Sequence, residues 1–115
     1  MSPKNLAKIT KSLRIILREL ARCELKDKSI RCQYAEYLVA KKLADKNHDV
    51  QILNERENKN ADIYLSKTGE RVEVKSSRLI DGWAYGSFTD GNQIKQDKFD
   101  YCVSLFISSK MSQTQ

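Results

Sequence analysis

Histidine is almost missing from this 115-residue chain: His48 is the only one. Cysteine is scarce too, with Cys23, Cys32 and Cys102 and no C-x-x-C pair among them. That set lacks the ligands a zinc site needs, and three scattered thiols make no disulfide framework. Reduced thiols in a cytoplasmic setting are the expectation. The lone proline, Pro3, stands at the very start, so no proline interrupts the helical patterns that follow. No apolar run approaches the length that spans a bilayer. The basic opening "MSPKNLAKITKSLRIIL" has neither the long apolar core nor the small-residue cleavage site of a signal peptide. Internal repeats and low-complexity segments are also lacking.

What is present reads as one soluble, globular domain with a modest core: 40% of residues are hydrophobic and 31% charged. Twenty-one Lys and Arg against 15 Asp and Glu give a formal net charge of +6, which favours a polyanionic partner through counterion release.

Residues 4–23 place Leu6, Ile9, Leu13, Ile16, Leu17 and Leu20 three and four apart, the mark of a helix with one apolar stripe. Its other face carries Lys4, Lys8, Lys11, Arg14 and Arg18. "KDKS" interrupts, with Asp27 or Ser29 available as a cap. Residues 30–46 are again helical, with Ile30, Tyr34, Tyr37, Leu38 and Val39 apolar. Here Glu36 shares a stripe with Cys32, Ala40 and Leu43, so a carboxylate lies beside an apolar surface.

From residue 50 the period becomes two. "VQIL" and "ADIYL" read as strands separated by the polar "NERENKN". "SKTGE" is a turn in which Gly69 can take positive φ. "RVEVKSS" is a third strand, "GWAYGSF" a short fourth, "DGNQIKQDKF" one or two helical turns. "DYCVSLFI" is a last strand whose continuous apolar run suits burial on both faces. The tail is polar. The fold class is therefore mixed α/β around one sheet.

Glu73 and Lys75 point to one side of their strand, and a hairpin with "ADIYL" brings Asp62 beside Glu73. Neighbouring carboxylates repel unless a cation lies between them. Oxygen ligands of this kind suit Mg²⁺, and a lysine beside such an ion can position a water or offset phosphate charge. The chemistry these residues fit is metal-assisted phosphodiester hydrolysis. E-x-K alone says little, since it occurs three times: Glu24/Lys26, Glu57/Lys59 and Glu73/Lys75. Only the third lies in a valine-rich strand after a turn, with an aspartate opening the strand before it.

These residues also have plainer uses. Asp62 can cap a strand start, Glu73 and Lys75 can be an exposed ion pair, and Glu36 can be an ordinary surface residue. Trp83 and Tyr85 can stack on bases, although core packing suits them better.

The pattern Asp62, then Glu73-Val74-Lys75, with Glu36 on the preceding helix, resembles the PD-(D/E)XK nuclease superfamily, and in particular its restriction-endonuclease-like and Holliday-junction-resolvase-like members. The resemblance spans roughly residues 30–107. It implies a restriction-endonuclease-like core, a mixed sheet flanked by helices, in minimal form. One domain over 1–115 would then comprise a basic helix (1–27), the nuclease core (28–107) and a polar tail (108–115).

The resemblance further implies that Asp62 and Glu73 hold Mg²⁺, or Mn²⁺ in its place, with the Val74 carbonyl as a further ligand and Glu36 ligating a second ion or a metal-bound water. Lys75 would orient the attacking water. Gln93 resembles a polar residue some members carry near the active site, although a structural role is open to it too. DNA contacts are expected from Lys8, Lys11, Arg14, Arg78 and Lys95. The chain departs from the family pattern in having Ala61 before Asp62 and in stopping soon after "YCVSLFI", where members often continue. The activity implied is a Mg²⁺-dependent DNA endonuclease, restriction-like or junction-resolving. The other class is a non-catalytic nucleic-acid-binding or accessory subunit that keeps the fold. Cutting both strands needs two active sites and this chain offers one, so a homodimer is expected.

Overall fold

A computed structural model describes residues 2–53, 61–80, 83–86 and 99–108, with residues 78–80, 83–86 and 108 described by their backbone alone. Two helices, α1 (Pro3–Arg22) and α2 (Lys28–Asp45), precede five strands. The strands are β1 (Val50–Ile52), β2 (Ile63–Leu65), β3 (Glu70–Ile80), β4 (Trp83–Gly86) and β5 (Tyr101–Ser108).

α1 starts where Ser2 caps it, the side chain accepting the Asn5 N–H at 3.2 Å, with Pro3 in the first turn. Its stripe buries Leu6, Leu13 and Leu17. Ile16, at the stripe's margin, is 44% exposed, and Thr10 takes a buried place instead, its hydroxyl donating to the Leu6 carbonyl at 2.7 Å. Asp27 stands at the N-cap of α2 but makes no side-chain cap bond. Its carboxylate accepts from Arg31 Nη1 at 3.1 Å in a buried pair. The guanidinium one turn on competes for the oxygen a cap would use.

The sheet is mixed. β1–β2 and β2–β3 are antiparallel, with Ile63 opposite Val72. The turn between β2 and β3 places Gly69 at φ +75°, where an added Cβ has room but the backbone conformation disfavours any L side chain. β5 runs parallel to β3 over Val72–Leu79, and β4 pairs antiparallel with Ser77–Ile80. Because β5 covers one edge of β3 from Val72 to Leu79, β2 and β4 share the other edge. β2 pairs there with Glu70–Val72 and β4 begins at Ser77, so residues 73–76 lie in a gap between them.

The core lies between the helices and one face of this sheet. Leu6, Ala35, Val39 and Ala40 meet Val50, Ile63, Leu65, Val72 and Val74. Since Val72 and Val74 face the helices, alternation turns Glu73 and Lys75 to the opposite face.

β5 departs from the expectation of burial on both faces. Val103, Leu105 and Ile107 pack toward the core, while Phe106 is 57% exposed and Cys102 and Ser104 are exposed. An apolar run reports transfer free energy and carries no information on whether a second layer covers the other face. The expected helical turns at 90–99 lie largely outside the described residues, as do all of "NERENKN" (54–60), with its Glu57/Lys59 pair, and the polar tail beyond Ser108. No disulfide joins the three cysteines. Among the described residues no helix is long and apolar enough to cross a membrane.

Candidate active site

Asp62 reaches the gap because β2 starts one residue later. Its backbone N–H donates to the carbonyl of Val72 at 3.0 Å, although Val72 already faces Ile63, so the chain leaves the ladder register here. The Asp62 side-chain Oδ2 accepts the Val74 N–H at 2.8 Å, taking the place of a strand partner that this N–H lacks among the described residues. In a strand the N–H and C=O of one residue point to the same edge. The Val74 carbonyl therefore faces the gap as well, on the side where Asp62 sits.

Glu73 lies between Val72 and Val74, the two residues whose backbone Asp62 bonds, and is only 8% exposed. Burial is the main reason its carboxyl is pushed up to about 8; the Asp62 carboxylate adds to this by hydrogen bonding and repulsion, and Lys75 pulls the other way. Glu36 comes from α2, half-buried, and is also pushed up to about 8, first by burial and then by the charge of Asp62 and a hydrogen bond with it. Asp62 is thus the hub, joined to one acid on each side. Lys75 is half-buried beside Glu73 on the same face of β3.

The four residues singled out from the sequence, Glu36, Asp62, Glu73 and Lys75, are therefore brought together from α2, the entry to β2 and the middle of β3. Gln93 and Lys95 lie outside the described residues, and so does the side chain of Arg78. Trp83 and Tyr85 are described by backbone only. Lys8 and Lys11 are exposed on α1, whereas Arg14 is half-buried toward α2. The Glu24/Lys26 pair is exposed just past α1, where Glu24 adopts φ +56°.

No known family model, curated protein or solved structure matches this chain.

A contact missed by the sequence reading supports the acid on α2. The buried Ser76 hydroxyl lies 3.6 Å from Cys32 Sγ and donates to it, pinning the turn of α2 before Glu36 against β3. The i, i+4 spacing of Cys32 and Glu36 carried that signal, since whatever fixes one orients the other.

The donors at the gap are carboxylates and a main-chain carbonyl, a set suited to a hard divalent cation such as Mg²⁺. Their chemistry fits the ion, but the side chains are not a finished cage: among the described residues no three His, Cys, Asp or Glu stand so as to hold a metal. Burial and crowding raise the carboxyls of Glu36 and Glu73 to about 8, so a cation bound here would have to displace their protons, and its affinity would rise with pH.

Proposed function

We propose that this chain is a metal-dependent DNA endonuclease built on a restriction-endonuclease-like core, restriction-like or junction-resolving in its action. The observation that carries the reading is the meeting of Glu36, Asp62 and Glu73 with Lys75 at a gap in one sheet edge. Two of those acids are held near neutrality, an arrangement that costs stability and is typical of functional sites. A net charge of +6 suits a phosphodiester substrate.

In this reading Asp62, Glu73, the Val74 carbonyl and Glu36 hold Mg²⁺, with Mn²⁺ able to replace it. The ion, when bound, supplies Lewis-acid activation and neutralises developing charge. The chain's own residues do the rest. Asp62 is fixed by the Val74 N–H, which keeps one of its oxygens turned to the gap. Lys75 stands beside Glu73 and can orient a water toward phosphorus or offset charge on the phosphate. Lys8, Lys11 and Arg14 supply phosphate attraction away from the chemistry, with Arg78 and Lys95 assigned the same role and Gln93 a polar one near the site. The compartment proposed is the cytoplasm, and the active species a homodimer, which would place a second site for the second strand.

Supercoiled plasmid is the direct substrate for a test. In Mg²⁺ or Mn²⁺ we expect nicked and then linear product, with none in EDTA. Linear product arising from single binding events supports two sites acting together, and nicks alone contradict the dimer. Plasmid bound but left intact in both metals contradicts the nuclease and leaves a non-catalytic DNA-binding role.

A further inference from the structure

On the opposite side of α2 from Glu36 lies a second feature. α1 and α2 enclose a groove of about 300 Å³ whose rim carries Lys11, Arg14, Lys41 and Lys42, with Tyr34 lining it and Asp45 as the one acid. Asp45 is engaged by Lys41, 3.0 Å away in an exposed i, i+4 pair of the kind worth little. Four cations against one acid leave an excess of positive charge along a concave surface.

At about 100° per residue, Tyr34, Lys41 and Asp45 fall roughly half a turn around α2 from Glu36. The groove and the carboxylates are therefore separated by the helix body, on the order of 10 Å. A strand held at one is not the same run of phosphates as that held at the other.

We propose that the α1–α2 groove is a binding site for the phosphodiester backbone of duplex DNA, separate from the carboxylate site. Cations contributed by two helices flank a cleft that a backbone can follow, which a single basic helix face does not offer. The groove extends the α1 contacts to Lys41 and Lys42, and it does not depend on whether the carboxylates cut. It adds affinity and orientation without sequence readout, because phosphates carry no base identity.

The test uses the full chain and a fluorescein-labelled 20-base-pair duplex in EDTA, with anisotropy read from 50 to 250 mM salt. Lys11→Glu/Lys42→Glu takes one exposed residue from each side of the groove; Lys26→Glu/Lys28→Glu makes the same charge change at exposed positions outside it. We expect the groove variant to lose roughly tenfold or more in affinity and to flatten the slope of log K against log salt by about two. The control should lose no more than about threefold and keep its slope. Thermal melts verify that both variants fold. Equal losses in the two variants, or wild-type binding by the groove variant, would overturn the proposal. Because no metal is present, either result is independent of catalysis.

Discussion

Lys75→Ala is expected to slow DNA cleavage by roughly 10²–10⁴-fold, the range for a positioned catalytic side chain, while DNA affinity stays within about twofold of wild type. The expectation follows from where the residue stands. Lys75 shares a face of β3 with the buried Glu73 and acts electrostatically on it. It is one cation among 21 Lys and Arg, so its share of a distributed phosphate attraction is small. A loss confined to rate marks a group used in the transition state. Single-turnover cleavage of a plasmid, paired with anisotropy in EDTA, separates the two quantities. Normal cleavage by the variant would remove Lys75 from the chemistry, and a parallel loss of binding would make it a DNA contact. Arginine should not restore the rate, because its planar fork differs in reach and geometry from a compact ammonium.

The second large effect concerns pH. Glu36 and Glu73 have carboxyls raised to about 8 in the folded protein from 4.5. Between those values the folded chain holds protons that the unfolded chain has released. Stability from these groups is thus fully present below the unfolded value and is lost as pH rises through the folded one. The two acids are coupled through Asp62, so their effects do not simply add. After discounting for solvent screening at half-buried Glu36 and for its coupling with buried Glu73, the metal-free protein should lose about 2 kcal/mol between pH 5.5 and pH 8.5. That corresponds to a fall of roughly 10 °C in melting temperature for a domain near this size. Melts in EDTA at several pH values measure it. The Glu36→Gln/Glu73→Gln variant should show a much flatter profile, because amides carry no titrating proton. Wild type and variant with parallel profiles would show that the acids are not held protonated. Magnesium at high pH should restore the wild type and not the variant, since a bound cation replaces the protons.

Parts of this site were legible in the sequence for identifiable reasons. The Asp62–Glu73 neighbourhood follows from a period of two and a tight turn at Gly69, which together set the hairpin register. Glu36 was visible only as a carboxylate on the stripe of Cys32 and Ala40. That it meets Asp62 depends on how α2 crosses the sheet, and helical periodicity does not encode a crossing angle. β3 runs to Ile80, further than alternation in "RVEVKSS" indicates, because β4 and β5 pair with its far half. Cross-strand partners so distant in sequence leave no local signal. Lys41 and Lys42 carry no distinguishing pattern for a similar reason: a lysine pair on a helix looks like solvated surface until a second helix is placed across from it. The buried Asp27–Arg31 pair was likewise hidden, since a charge at a helix start reads as a cap.

Calorimetric titration of Mn²⁺ into wild type and Asp62→Asn, at pH 8 in two buffers of different ionisation enthalpy, tests the central claim most directly. The account predicts one or more ions bound by wild type, with proton release seen as a buffer-dependent heat, and binding weakened at least about tenfold in Asp62→Asn, where the hub joining Glu36 and Glu73 is lost. Equal binding by the two proteins, or no binding by wild type, would contradict a metal centre at this gap.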